Sequence, residues 1–415
     1  MTHANSESLT HPEETIAQSV IRYHYMDNVR ALAMFVGVLF HASLAYSPLF
    51  HNLWFTTGNE SSAAIDMVAV FTHLFRMPVF FLISGFFAIM MIQKRGLFGY
   101  IKNRSLRILL PFIIFFPILA FSIMVSIGWA MEHVDHLSPM LQFIKMMANN
   151  PDAAPPPLST MHLWFLFNLF LFVLMAAILY RFKFFHSQFV SKIASVKFII
   201  FILPLFMVPS MFTQTAPHPA PEKFYPELWS FGFYGVFFLL GGVIFLKQRL
   251  LDELAVYKNI LLVLSLISYG VFYLTLPKTF SAEDIMKASA DGFDPDWVHL
   301  HVAILEAYIA VYMTLYCLLI GKQLLNRQNK ILKLISDSSY WVYLIHLPIL
   351  LLIQFALADV DMNMWLKFLM STFTTFFIGL VSYVLFVKWT PIGWLLNGRK
   401  KEINKNSVPL VEERT

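Results

Sequence analysis

Six ionisable side chains stand inside long apolar runs of this 415-residue chain: His41, Asp66, His73, Arg76, Glu306 and His346. Two more, His162 and His299, sit at the edges of such runs. An imidazole is the usual general base of an enzyme. A buried guanidinium stays charged and needs a carboxylate, a carbonyl dipole or a ligand anion. The first apolar run opens with Asp27-Asn28-Val29-Arg30 and reaches His41. Eleven residues are about three helical turns, so Arg30 and His41 share a face, roughly 16 Å apart along the axis. In a hydrocarbon layer about 30 Å thick, Arg30 then lies at a surface and His41 near the midplane. An ionisable group at that depth marks function by default. Gly37, one turn before His41, clears volume beside the imidazole.

Asp66, His73 and Arg76 fall on one helical face, with Arg76 near the depth of His41. A structural ion pair with Asp66 or Glu306 is the alternative to a ligand-binding role for Arg76. The run Pro78-Val79-Phe80-Phe81-Leu82-Ile83-Ser84-Gly85 follows directly, and Ser84-Gly85 permits close approach of a helix or a ligand. Arg104 and Arg107, one turn apart, can grip phosphates or simply anchor a basic loop. His162 and Asn168 open a fourth run, while His299 and Glu306 share a face of the eighth and can bind hydroxyls or pair with each other. His346 lies one turn after Tyr343. Ordered by depth, basic loops come first, then His346, then His41 and Arg76, with His162, His299 and Glu306 towards the far side. That order resembles a path across a membrane.

The elements that position these groups follow from composition. The chain is 58% hydrophobic and 13% charged, with 43 phenylalanines. This is the usage of an all-α polytopic membrane protein. About ten transmembrane helices are expected, near 30–49, 64–92, 106–129, 162–180, 197–211, 228–246, 259–276, 299–320, 340–357 and 366–388. With both termini cytoplasmic, the great majority of the 30 Lys and Arg residues fall on the cytoplasmic side. Lys145, Lys223, Lys278, Lys287 and Lys367 lie outside, which is a strong positive-inside bias. It accounts for the net charge of +5 without nucleic acid. Residues 1–26 read as a cytoplasmic tail preceding an uncleaved signal anchor, 27–390 as one transmembrane domain, and 391–415 as a cytoplasmic tail. The outer loops carry Pro155-Pro156-Pro157, a Pro-rich stretch with one histidine before Pro226, and the acidic set Glu283, Asp284, Asp291, Asp294 and Asp296. No histidine pair with a carboxylate has metal-binding spacing, and no metal is expected.

The same residues carry a family likeness. Arg30-x10-His41, the run Val79-Phe80-Phe81-Leu82-Ile83-Ser84-Gly85-Phe86, the stretch Arg107-Ile108-Leu109-Leu110-Pro111, and Ser339-Tyr340-x-x-Tyr343-Leu344-x-His346 occur in the order found in acyltransferase family 3. Together they cover most of the chain from Asp27 to Pro348. The chain therefore resembles that family of membrane O-acyltransferases. Two features depart from its common form: Asp27-Asn28-Val29-Arg30 replaces Asp-Gly-Leu-Arg, and Phe75-Arg76-Met77-Pro78 precedes the aromatic run. The Arg76 variant is similar to the branch that acts on periplasmic glucans, which implies a succinyl group.

The resemblance implies a location in the bacterial inner membrane and no tightly bound cofactor. The donor is a cytoplasmic acyl-CoA, succinyl-CoA or acetyl-CoA, and the acceptor a hydroxyl of an extracytoplasmic glycan or polysaccharide. Such a transfer requires a base for the hydroxyl and stabilisation of the thioester oxyanion. His41, Arg76 and His346 are the catalytic candidates, with His41 as the base. Arg30, Arg104 and Arg107 would hold CoA phosphates, and Gly37, Ser84 and Tyr343 would line the donor's path. His162, Asn168, His299 and Glu306 would meet the acceptor. A two-step route through acyl-His41 stays open. The rival reading is a proton-coupled transporter that uses the buried His, Arg and Glu groups, but the sequence shows none of the internal repeats common in transporters. A subunit whose buried charges only fix helix packing is a third.

Overall fold

The computed structural model describes residues 23–58, 60–152, 158–279, 296–327 and 329–398. The Pro155–Pro157 run, four of the five acidic residues of the third outer loop and most of both tails lie outside these. Among the described residues the regular elements are helical, as a lipid environment demands of a backbone that must satisfy its own hydrogen bonds. The exception is an isolated antiparallel bridge between Ser159 and Lys223.

The helices are α1 (His24–Ser43), α2 (Ala63–Arg104), α3 (Leu110–His133), α4 (Pro139–Ala148), α5 (Trp164–Arg181) and α6 (Leu203–Phe212). They continue with α7 (Val236–Leu246), α8 (Lys258–Thr275), α9 (Trp297–Leu324), α10 (Lys330–Leu357), α11 (Met364–Ser382) and α12 (Pro391–Asn397). Among the described residues eight helical stretches are long and apolar enough to cross a membrane, and the chain is a multi-pass membrane protein. The stretch Ala63–His133, at 71 residues, holds two of the ten expected spans. The expected span at 197–211 is the shorter apolar helix Phe198–Phe212.

The basic connection between those two merged spans is itself helical, with a break and a bulge. Gly96 takes φ 70° and ψ 172°, a conformation that a side chain disfavours and that redirects the chain after Arg95. Ser105–Leu109 then forms a π-turn before α3 begins. Such turns widen a helix locally and recur at functional sites. Here the turn carries Arg107.

Two glycines weld α2 to α7. A Cβ on Gly85 would collide with the Phe238 carbonyl, and one on Gly241 with the Leu82 carbonyl. Small residues are what let two helices approach this closely where lipid offers no hydrophobic drive to association. Gly85 is thus a packing residue. Around this seam lies the aromatic core, including Phe81, Phe172, Phe233, Phe237 and Phe238, all fully buried. Apolar side chains such as Phe121, Ile267, Phe377 and Phe386 face outward, suited to contact with lipid tails.

Candidate active site

One cavity of ≈ 380 Å³ brings most of the sequence candidates together. Its walls come from α1, α2, the π-turn, the start of α5 and α10. At one end stand Arg30, Arg104, Arg107, Asp27 and Asp337; His41, Arg76, His162 and His346 also line it, with Gly37, Ser84 and Tyr343. Helical spacing on α1 sets the Arg30-to-His41 distance at roughly 16 Å.

The basic end is partly tied. Arg30 Nη2 lies 3.5 Å from Asp27 Oδ1 and stays half-exposed. The Tyr340 hydroxyl donates to the Arg107 carbonyl at 2.8 Å, fastening α10 to the π-turn. Asn397 Nδ2 donates to the Asp337 carbonyl at 2.8 Å, so α12 folds against this end. Arg104 and Arg107 therefore project from a helix whose register the π-turn has shifted. A Cβ added to Gly37 meets nothing within 4 Å, which agrees with a glycine that leaves room beside His41.

At the other end three imidazoles meet. The His41 and His346 ring centroids are 5.2 Å apart, and those of His162 and His346 are 5.5 Å apart. His346 Nδ1 donates to the Tyr343 carbonyl at 2.6 Å. A carbonyl only accepts, so in the neutral ring the free lone pair belongs to Nε2. His162 is fixed the other way: Nε2 donates to the Leu344 carbonyl at 2.9 Å, which leaves Nδ1 buried without a partner. His41 Nδ1 is also buried and unpartnered among the described residues. The Tyr343 hydroxyl donates to the His162 carbonyl at 2.8 Å, which locks α10 to the turn before α5. The Tyr343 carbonyl orients the His346 ring and the Leu344 carbonyl orients the His162 ring.

His162 differs from expectation in depth. Its position at the edge of an apolar run points towards the far side, yet it touches His346. The reason is the turn Met161–Leu163, which begins with Met161 at φ 52°, an uncommon conformation for a non-glycine residue. Thr160 N–H and Oγ1 both donate to the Glu222 carbonyl, at 2.7 and 2.8 Å, and hold that turn in place.

Arg76 is buried, with its guanidinium carbon 3.6 Å from the Phe40 ring centroid. Its Nη1 has no hydrogen-bond partner, and no carboxylate forms an ion pair with it among the described residues. Both carboxylates proposed as structural partners are engaged elsewhere. Asp66 accepts from the Ser47 hydroxyl, from Leu49 N–H at 3.3 Å and from the Tyr273 hydroxyl at 2.7 Å. Glu306 accepts from His218 Nδ1 at 2.6 Å and from His218 N–H at 3.0 Å. The structural ion pair is thus excluded among these groups.

Three acceptor candidates do not line the cavity. Asn168 donates to the Trp164 and Pro221 carbonyls and accepts from the Ser230 hydroxyl, which makes it a buried bracket. His299 sits at the start of α9, where Asp296 caps the helix and accepts from its Nδ1 at 2.8 Å. Glu306 belongs to His218, the histidine of the Pro-rich loop, and not to His299. His218 Nε2 in turn accepts from the Tyr234 hydroxyl at 2.8 Å, and the His218 carbonyl accepts from His73 Nε2 at 2.8 Å. Spacing along α9 could not reveal a partner that comes from a loop. Trp54, stacked on His41, and Gln354, which accepts from the Trp54 indole N–H, carry no sequence signal beyond a polar amide within an apolar run.

Comparison with known proteins bears on the family of the chain. Residues 23–385 match the family described as acyltransferase domain. The chain is similar to glucans biosynthesis protein C of Escherichia coli strains K12, SMS-3-5 and HS (O9:H4). Each is 24% identical over 406 residues, which cover 92% of this chain and 97% of the relative. No solved structure matches.

Proposed function

The chain belongs to the acyltransferase domain family, and from that premise we propose that it moves a succinyl group from succinyl-CoA to a hydroxyl of an extracytoplasmic glycan. In this reading ten segments cross the bacterial inner membrane, both termini are cytoplasmic and the Arg30 end of the cavity faces the cytoplasm. One observation carries the proposal. A single cavity joins a cluster of three arginines to three imidazoles and an unpaired guanidinium, which suits a donor with phosphates at one end and a reactive thioester at the other.

Arg30, Arg104 and Arg107 hold the CoA phosphates by charge-assisted hydrogen bonds. The slender pantetheine arm passes Gly37 and Ser84, and the thioester stops beside His41. The His41 lone pair takes the proton of the acceptor hydroxyl. The freed oxygen attacks the thioester carbonyl, the C–S bond breaks, and the proton passes to the departing CoA thiolate. Ester and CoA thiol are the products. His346 and His162, each with one ring nitrogen not committed to a carbonyl, accompany that proton. Arg76 holds the terminal carboxylate of the succinyl group. A guanidinium stacked on Phe40 with an unspent N–H fits a carboxylate ligand.

The test is CoA release by the purified protein in detergent, with succinyl-CoA and a glucan oligosaccharide. Release should need both substrates, and His41→Ala should lower it by about 10²–10⁴-fold. Unchanged release in a well-folded His41→Ala protein would remove the base assignment. Proton-driven solute uptake without any CoA release would favour the transporter.

A further inference from the structure

The cavity is lined by His41 but by no residue of the segment that follows α1. Beyond His41 the helical stretch runs on to Tyr46, the chain then continues into a connector, residues 47–58, and Trp54 of that connector covers His41. The indole lies 5.8 Å from the imidazole, with an interplanar angle of 25°. Trp54 is buried and does not line the cavity, whereas His41 does. His41 is therefore the partition between the donor cavity and whatever lies behind the indole.

A buried amide holds that indole. Gln354 of α10 is 3% exposed and within an apolar helix, where an uncharged polar group needs its hydrogen bonds satisfied. Its Oε1 accepts from Trp54 Nε1 at 2.8 Å and from Thr56 Oγ1 at 3.0 Å. Its Nε2 donates to the Ala42 carbonyl at 3.1 Å, one residue past His41. One side chain thus ties the end of α1, the connector and α10 together. The near end of the connector is pinned separately, through Ser47 and Leu49 to Asp66. The side chains of Trp54 and Thr56 bond to Gln354, while the backbone between and after them is held by Ser138 Oγ, which donates to the Phe55 carbonyl at 2.9 Å, and by Gly58 N–H, which donates to the Ala45 carbonyl at 3.0 Å.

We propose that this is the acceptor site: the Trp54 indole is a door over His41, latched by Gln354, and the surface on which a sugar ring stacks when the door is open. The inference rests on the glycan reading of the acceptor. A pyranose presents an apolar C–H face and a rim of hydroxyls, which suits a large flat ring with a polar handle. Once Trp54 turns away, the Gln354 amide and the Thr56 hydroxyl are released to bind that rim, so acceptor bonds replace latch bonds. With the door closed, water is kept from the thioester and the donor is not hydrolysed. The three expected acceptor residues that are engaged elsewhere are not needed.

The test separates this proposal from the transfer reading. Cys317 is the single cysteine of the chain, so His41→Cys in a Cys317→Ala background reports access to the partition. A membrane-impermeant maleimide is applied from either side of oriented vesicles. Labelling from the periplasmic face should be slow, and Gln354→Met should speed it by about tenfold, as expected from the loss of the latch bonds. Labelling from the cytoplasmic face should not change, which also shows that the variant is folded. An unchanged periplasmic rate overturns the door, whatever the enzyme does. On the otherwise native chain, Trp54→Leu should raise the KM for a glucan oligosaccharide at least about fivefold, and Trp54→Phe should restore it, with the KM for succinyl-CoA constant. Equal acceptor KM values in all three overturn the stacking role. If the His41→Cys reporter labels as expected but no glucan stimulates CoA release by the wild type, the glycan reading fails and the door stands.

Discussion

Replacing Arg76 by methionine separates a residue kept for function from one kept for the fold. The guanidinium is buried in an apolar helix and, among the described residues, has no carboxylate partner and one nitrogen unbonded. Placing an arginine at the centre of a membrane helix costs about 2.5–3.5 kcal/mol on insertion scales. The Phe40 ring, 3.6 Å from the guanidinium carbon, returns about 2 kcal/mol in a desolvated setting. The balance is about 0.5–1.5 kcal/mol against the guanidinium, so Arg76→Met should lose no thermal stability and gain at most about 1.5 kcal/mol. A buried ion-pair partner behaves differently: its removal costs about 3–5 kcal/mol. On the functional side, the methionine variant loses the contact with the succinyl carboxylate. A hydrogen bond to a charged group is worth about 1.5–3 kcal/mol, so the ratio of kcat/KM for succinyl-CoA over acetyl-CoA should fall about 10–150-fold. Arg76→Lys keeps the charge and loses the planar fork, and should fall between. The assay is CoA release with each donor, paired with a thermal melt in the same detergent. A large drop in stability, or a donor preference unchanged in both variants, refutes the reasoning.

Three further outcomes follow from the same geometry. Gly37→Phe should block the donor's path and raise the KM for acyl-CoA, while Gly37→Ala should be tolerated, because a Cβ there meets nothing within 4 Å; steady-state kinetics of the two variants decides it. Arg104→Ala with Arg107→Ala should weaken acyl-CoA binding and flatten its dependence on salt, and an unchanged apparent affinity would reduce both residues to topological anchors. At the start of α9, the backbone N–H and ring of His299 hold the Asp296 carboxyl below its usual range. Because the folded-state value is depressed, the stabilisation is complete above the unfolded value of about 3.9 and is lost as pH falls through the folded value. The protection factors of the first-turn amides of α9, with the intrinsic rate divided out at each pH, should therefore fall in acid in the wild type, and Asp296→Ala should show the lowered protection at every pH.

How much of this was legible depends on the range over which each interaction acts. The helical class, the shared face of Arg30 and His41, and the space beside Gly37 are local consequences of a 3.6-residue period and a 1.5 Å rise, and a linear string contains them. The same holds for Arg104 and Arg107, although the π-turn that aims them left no pattern in the sequence. Depth was read less well. His162 was assigned from its position at the edge of an apolar run, whereas the turn tied to Glu222 carries it inward to His346.

Partners across the chain were beyond such reading. Glu306 was free to pair with His299 on its own helix, yet its partner is His218, 88 residues away in a loop. Asn168 had the look of a ligand group until Pro221 and Ser230 took its amide. Trp54 and Gln354, 300 residues apart, meet only because α1 and α10 pack side by side. The order of the apolar runs and the residues placed within them were therefore determined by the sequence alone. Which buried polar groups satisfy one another, and which are left free to act on a substrate, was decided by tertiary packing, because a buried hydrogen bond selects its partner by position in space.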